Sequence, residues 1–416
     1  MIKRRLLKEL KGHLSQKEIS FIIGPRQAGK TTLMLLLEDH LKKKGEQTLF
    51  FNLDIEADKQ FFASQQGLIK KIKLEIGQTK GFVFIDEIQR KENAGVFLKG
   101  IYDMGFAYKF IVSGSGSMEL KEKIHESLAG RKRIFELSTL SFEEFVNFRT
   151  AYKYEKQLLD FFTVDKEKGE GFLEEYLNFG GYPRVVLEEK LKEKRRIIDE
   201  IYQSYLEKDI TYLLQVKKSE DFSNLVKAIS YQMGNLINFS GLSSTLGVSQ
   251  KTVKRYLWYL QKTFILEKIT PYFRNVRKEI RRAPIFYFYD IGLRNYALGI
   301  FGNVNAFSDI GFLFQNFVFN ILKENLAATG ADVHFWRTKD RAEVDFVIDF
   351  GKEILPIEVK CKKLKKPEIT RSLRSFIEKY QPSKSLIVNL SLEETLSIKG
   401  TKILFVPFYK ISEALN

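Results

Sequence analysis

Three observations in the sequence predict an α/β fold made of several domains. Short apolar runs at Ile19–Ile23, Leu49–Leu53, Phe82–Ile85 and Phe110–Val112 alternate with helix-like segments, the pattern of a parallel sheet covered on both faces. From about 142 to 239 the periodicity is almost wholly helical, with its clearest break at Gly180-Gly181-Tyr182-Pro183. From about 286 strands return, at Ile285–Tyr289, Val333–Arg337, Val344–Phe350, Leu355–Cys361, Ser385–Leu390 and Ile403–Phe408. A chain of 416 residues has room for roughly two to four cores. The expected regions are 1–141, 142–219, 220–285 and 286–416.

Charge and composition then narrow the function classes. There are 68 Lys+Arg against 52 Asp+Glu, a net charge of +16, with 44% hydrophobic residues. That composition excludes a disordered chain. No apolar run approaches the ~18–20 residues of a membrane helix, and the basic start (Lys3, Arg4, Arg5) lacks a signal peptide's apolar core. A single cysteine, Cys361, and four scattered histidines exclude a disulfide framework and a His/Cys zinc set, so the expected compartment is the reducing cytoplasm. Residues 240–285 carry ten basic and two acidic side chains, half of the net excess. A nucleic-acid surface is therefore sought there first.

The most specific motif follows the first strand. Gly24-Pro25-Arg26-Gln27-Ala28-Gly29-Lys30-Thr31, with Thr32 beyond it, fits GxxxxGK[ST] between an apolar strand and a helix running from Thr31 to Lys44. Glycines let backbone N–H groups turn towards phosphate oxygens, and the helix N-terminus favours negative charge. Lys30 would reach the β- and γ-phosphates of ATP, and the Thr31 hydroxyl would ligate Mg²⁺. Phe82–Ile85 ends in Asp86, placed to hold that metal, and Glu87, placed to orient or deprotonate water. Ser113 and Ser115 end the next strand, where a hydroxyl would meet the γ-phosphate or simply close a polar turn. Arg131 would stabilise the transferring phosphoryl group, in cis or from a neighbouring subunit, or stand solvated in Arg131-Lys132-Arg133.

Together GPRQAGKTT, FVFIDEIQR, SGSGS, ESLAGRKRIFEL and GGYP resemble the prokaryotic AAA-like ATPases that carry a C-terminal DUF4143 domain. The resemblance implies an AAA+/STAND-like P-loop core, a helical lid, a winged helix and a nuclease-like C-terminal domain. It places nucleotide binding on Gly24, Gly29, Lys30, Thr31, Asp86 and Glu87, with Ser113 or Ser115 at the third strand's end.

Two further constellations remain. Leu242 and Leu246, the turn Gly247-Val248, the cap Ser249 and the face Val253, Tyr256, Leu257, Leu260 have helix-turn-helix spacing. Gln250, Lys251, Lys254 and Arg255 would then face DNA, favoured over RNA, with Arg274, Arg277, Lys278, Arg281 and Arg282 on phosphates. The alternative is a solvated helix face. Downstream, Asp345 and the alternating Glu358 and Lys360 would meet on adjacent strands, where two carboxylates hold a second Mg²⁺ or Mn²⁺ and the lysine neutralises a phosphodiester. Their order along the chain resembles the PD-(D/E)xK nuclease fold, a restriction-endonuclease-like α/β domain. One departure is Gln315, where such domains often carry an acid on the first helix; Glu343 or Asp309 would have to compensate. The expected function is Mg-dependent ATP hydrolysis controlling a nucleic-acid-binding module, with no membrane association and with nucleolytic activity and oligomerisation open. The alternative is a nucleotide-gated switch or scaffold with a degenerate nuclease-like domain and a protein partner.

Overall fold

The computed structural model describes residues 2–115, 127–205, 219–273, 283–304, 310–327 and 329–415. The basic tract at Arg274, Arg277, Lys278, Arg281 and Arg282, together with Asp309, lies outside them, as does the side chain of Ser115.

The N-terminal part contains α1 (Leu6–Gly12), β1 (Ile19–Gly24), α2 (Lys30–Lys42), β2 (Thr48–Asn52), α3 (Glu56–Lys59), α4 (Gln65–Ile76), β3 (Gly81–Asp86), α5 (Ala94–Asp103), β4 (Tyr108–Ser115) and β5 (Lys132–Glu136). Its five strands are all parallel, in the order β2-β3-β4-β1-β5. Every residue of β1 and β3 is buried, which explains their continuous apolar runs. One face packs Phe21 and Val83 against α4 and α5, and the other packs Ile22 and Phe84 against α1 and α2. Because β4 lies between β1 and β3, the end of β4 falls between the glycine-rich loop and Asp86. This is the parallel-sheet core of a P-loop NTPase.

The helical part comprises α6 (Phe142–Arg149), α7 (Leu158–Val164), α8 (Lys166–Phe179), α9 (Pro183–Leu187) and α10 (Leu191–Ser204). Next come α11 (Ser219–Tyr231), α12 (Phe239–Leu246), α13 (Gln250–Lys262) and an antiparallel pair, β6 (Leu266–Pro271) with β7 (Ile285–Phe288). The remainder is α14 (Ile291–Ala297), α15 (Ile310–Leu326), β8 (Asp332–Arg337), β9 (Glu343–Asp349), β10 (Ile354–Val359), α16 (Arg371–Tyr380), β11 (Lys384–Asn389), β12 (Glu394–Ile398), β13 (Thr401–Pro407) and α17 (Ile411–Leu415).

Here one apolar core crosses the boundaries expected at 219/220 and 285/286, and one sheet crosses the second of them. β6 pairs with β8 through Thr270–His334 and Pro271–Phe335, so eight strands form one mixed sheet, β12-β13-β11-β10-β9-β8-β6-β7. A single apolar core runs from Leu140 through the helical part and the basic module to Ile411. Phe142 shows how it is knitted. Its ring meets Phe162 and Tyr176 of the helical part and Phe317 and Phe408 of the C-terminal part, with centroids 5.2–5.9 Å apart. Such aromatic pairs contribute about 0.5–1.5 kcal/mol each beyond their buried area. Hydrophobic burial is continuous where sequence composition suggested seams.

The Gly180-Gly181 break is a close backbone crossing. Gly180 has φ +72°, and a Cβ there would stand 2.4 Å from Asp290 Oδ1; one on Gly181 would stand 2.3 Å from the Leu140 carbonyl oxygen. Gly181 N–H donates to Asp290 Oδ2 at 2.8 Å, and Leu140 N–H donates to the Gly181 carbonyl at 2.7 Å. Burial pushes the Asp290 carboxyl up to about 6. Pro183, at the first turn of α9, then restarts the helix. Among the described residues, no helix is long and apolar enough to cross a membrane.

Candidate nucleotide site and the C-terminal carboxylates

The loop from Gly24 to Gly29 joins a buried strand to the N-terminus of α2, where backbone N–H groups have no helical partner. Gly24 is required sterically, since a Cβ would stand 2.0 Å from the Leu137 carbonyl oxygen. Gly29 caps α2 in the left-handed region at φ +96°. Pro25 and Ala28 are buried, Arg26, Gln27 and Gly29 are half-buried, and Thr32 is exposed on α2. Lys30 is buried beneath the loop, its ammonium donating to the carbonyls of Gly24 at 3.1 Å and Pro25 at 2.7 Å.

A connected set of oxygens faces this loop. Thr31 Oγ1 donates to Asp86 Oδ2 at 2.6 Å, while the buried Ser113 hydroxyl donates to Asp86 Oδ1. Glu87 N–H reaches Asp86 Oδ1 at 3.1 Å and Ser113 Oγ at 3.2 Å. Glu87 has φ +57° without being glycine, a conformation that costs about 1–2 kcal/mol and aims its carboxylate away from the strand's regular course. Burial, then the neighbouring Asp86 charge, raises its pKa, which suits a proton acceptor. Gln89 donates to Glu87 Oε2. Thr31 and Asp86 offer hard oxygen donors side by side, so the donor set fits Mg²⁺. Ser115 pairs in backbone register with Gly24.

Arg131 lies at the other edge of the sheet. Its carbonyl accepts from Ile19 N–H at the start of β1, the end of the sheet opposite the loop, and its guanidinium pairs with Asp103 at 2.8 Å. A parallel sheet puts strand beginnings and ends at opposite edges, so within one chain Arg131 is not brought to this loop, which leaves the neighbouring-subunit and solvated alternatives. Two other arginines are brought to it. Arg184, just after Pro183, donates to Gln27 Oε1 at 2.9 Å and pairs with Glu200 at 3.1 Å. Arg4 donates to the carbonyls of Ala28 at 2.9 Å, Ser138 at 2.7 Å and Thr139 at 3.2 Å, and to Glu144 at 3.0 Å. Arg184 adjoins the GGYP segment and Arg4 belongs to the basic start, but neither contact has a local sequence signature.

In the basic module, Ser249 caps α13 by accepting from Thr252 N–H at 3.1 Å, and Gly247 closes α12 at φ +65°. Val253, Tyr256, Leu257 and Leu260 are buried, while Gln250, Lys251, Lys254 and Arg255 are all exposed on one helix.

The C-terminal residues also converge. Asp345 on β9 accepts from Val359 N–H on β10 at 2.7 Å and from Gln315 Nε2 on α15 at 2.7 Å. Glu358 takes Lys360 Nζ at 2.5 Å and the Thr370 hydroxyl at 2.8 Å. Glu343 pairs instead with Arg337 at 3.5 Å. Burial drives the Asp345 carboxyl up to about 7. Gln315 Oε1 stays buried without a hydrogen-bond partner. All four carboxylate oxygens of Asp345 and Glu358 thus meet donors of the chain itself, and the third position is an amide. No group of three His, Cys, Asp or Glu able to hold a metal occurs among the described residues. As arranged, this set does not fit a divalent cation.

Comparison with known proteins finds similarity along most of the chain. The curated relatives it resembles include an uncharacterized protein of Mycobacterium tuberculosis, 26% identical over 91% of this chain and 78% of that one. An uncharacterized protein of Haemophilus influenzae is 26% identical over 93% of each chain. Among solved structures, Cdc6p from Pyrobaculum aerophilum aligns over 73% of this chain and 95% of that one, at 11% identity and a TM-score of 0.28. Residues 16–146 match the model of an AAA domain, residues 171–303 a domain of unknown function (DUF8612), and residues 310–409 a second such domain (DUF4143). The chain therefore carries the AAA domain and the DUF4143 domain expected together, with DUF8612 covering the later helices and the basic module between them.

Proposed function

We propose that this chain binds and hydrolyses Mg-ATP at the loop Gly24–Thr31, and that its nucleotide state controls a nucleic-acid-binding remainder. One observation carries the reading: Thr31, Asp86, Ser113 and the left-handed Glu87 form a continuous hydrogen-bonded set at the mouth of a glycine-rich loop with Lys30 beneath it. The loop N–H groups would hold the phosphates, with Lys30 turning from the loop carbonyls to the β- and γ-phosphate oxygens. Glu87 would orient the attacking water and take its proton as ADP departs. Bound Mg²⁺ would supply charge neutralisation beside Thr31 and Asp86. Arg184 would report the state of the loop to the helical part through Gln27.

The nucleic-acid part rests on the winged-helix-like order of α11, α12, α13 and the β6–β7 ribbon, and on the exposed Gln250, Lys251, Lys254 and Arg255. We read the DUF4143 domain as binding rather than cutting, because Gln315 occupies the third ligand position and the carboxylates are already engaged. Fluorescent-ATP titration tests the first part: Lys30→Ala should abolish binding, and unchanged affinity would overturn the assignment. For the second, wild type should bind duplex DNA with an affinity that falls steeply with salt, and Lys251→Ala/Arg255→Ala should flatten that slope. Cleavage of DNA or RNA with Mg²⁺ or Mn²⁺, lost in Lys360→Ala, would overturn the non-cutting reading.

A further inference from the structure

A groove of about 310 Å³ lies in the helical part, remote in character from both carboxylate sites. Arg149, Glu175, Phe179, Glu189, Leu191 and Lys194 line it. Its volume is at the lower end of the range of small-molecule pockets.

Two of its cations lack the partners that burial demands. Lys194 is only 4% exposed, yet its ammonium makes one hydrogen bond among the described residues, to the Val185 carbonyl at 2.9 Å. None of the described carboxylates lies within ion-pair distance of it; its other neighbour is the face of Phe179, 4.9 Å from the ring centroid. A buried charge without a counter-ion is unfavourable, and one ring face offsets little of that. Beside it, the Arg149 guanidinium pairs with Glu175 through Nη2, but Nε is buried with no acceptor. Burial and the nearby Arg149 charge both push the Lys194 pKa down, against the opposing pull of Glu175, Glu188 and Glu189. Leu191, 42% exposed, forms an apolar rim.

We propose that this groove binds a small organic anion: a carboxylate or phosphomonoester head between Lys194 Nζ and Arg149 Nε, with an apolar or aromatic body against Phe179 and Leu191. Such a head supplies the counter-charge for Lys194 and the acceptor for Arg149 Nε, while the body covers the ring and the rim. Phe179 directly precedes Gly180, and Lys194 holds the carbonyl that follows Arg184. The ligand would therefore rest behind the turn that carries Arg184 to the phosphate loop.

Isothermal titration of the full chain with phenyl phosphate, benzoate and benzyl alcohol tests this. One of the two anions should bind at one site per chain, and the tighter of them identifies the head group; benzyl alcohol should not bind. Lys194→Met should weaken binding about tenfold or more, equivalent to about 1.4 kcal/mol. Leu191→Trp, which keeps every charge and fills the mouth, should weaken it as well, so the result does not hang on one variant. Lys30→Ala should leave binding intact, which separates this groove from the phosphate loop and makes the outcome independent of the proposed ATPase activity. Failure of both anions to bind, binding unaffected by Lys194→Met and Leu191→Trp, or binding lost in Lys30→Ala would overturn the proposal.

Discussion

Asp86 stands on a fully buried strand and Asp345 on a partly buried one, each with a second carboxylate nearby, yet their neighbours prepare them for different work. Around Asp86 the partners are hydroxyls and a backbone N–H: Thr31, Ser113 and Glu87. Such groups can exchange a hydrogen bond for a metal or a phosphate oxygen without leaving a charge unpaired. Around Asp345 and Glu358 the partners include the Lys360 ammonium, which a cation would have to displace at the cost of an unpaired charge, and the Gln315 amide where a third carboxylate would stand. Glu87 extends the contrast, being held in a left-handed conformation at the loop's mouth. The same residue type is thus either presented to a ligand or enclosed by the chain. The surrounding donors decide which.

The largest effect that would break this comparison is at Glu87. Glu87→Gln should lower kcat by about 10²–10⁴, the range for a lost general base, while fluorescent-nucleotide affinity stays near wild type. A phosphate-release assay that finds wild-type turnover would remove Glu87 from the chemistry.

Next in size is the pH dependence of the enclosed site. The Asp345 carboxyl titrates near 7 in the fold, against 3.8 ordinarily. Between those values the folded chain holds a proton that the unfolded chain has lost, so this group's stability contribution is complete below about 3.8 and disappears as pH rises through about 7. From about pH 5 to about pH 8 the loss should be of the order of 2–3 kcal/mol. Asp345→Asn should be missing that portion, as read by urea unfolding followed at Trp336 in a Trp258→Phe background. Asp290 and Glu324, raised to about 6 and about 7, keep their own contributions in both proteins. An unchanged slope would show that Asp345 is ionised in the fold.

A smaller effect belongs to Arg184. Arg184→Ala should reduce kcat/KM for ATP roughly tenfold, or ~1.4 kcal/mol, by loosening the helical part from Gln27. Equal rates would leave Arg184 as a surface ion pair with Glu200. Last, Gln315→Glu would sharpen the contrast from the other side. A third carboxylate should raise Mn²⁺ affinity at the C-terminal site a few-fold at alkaline pH, measured by titration of the Lys30→Ala/Asp86→Ala protein. No gain would mean that enclosure by the chain's own donors, rather than ligand count, excludes the cation.

Legibility followed the range of the interaction. The phosphate loop, the strand ending in Asp86-Glu87 and the Ser249 cap are local patterns, and each fell where its spacing placed it. Asp345 met Glu358 because two adjacent antiparallel strands carry them across a short turn. β5 and β12 were missed: β5 mixes charged and apolar residues, and β12 is a largely exposed edge strand without an apolar run. The edge on which Arg131 stands was not legible, because a basic run beside a strand does not say which end of the sheet it occupies. Arg184 escaped notice because its partner, Gln27, lies 157 residues away.

By itself, the sequence determined the α/β character, the glycine-rich loop and the residue types that could serve ATP, because periodicity, turn chemistry and short motifs are set within a few residues. Only the tertiary structure decided that the basic module and the C-terminal strands share one sheet and one core, that two remote arginines hold the loop, and that the second pair of carboxylates is enclosed. These outcomes depend on which distant donors and apolar surfaces burial brings together, and such pairings leave no pattern along the chain.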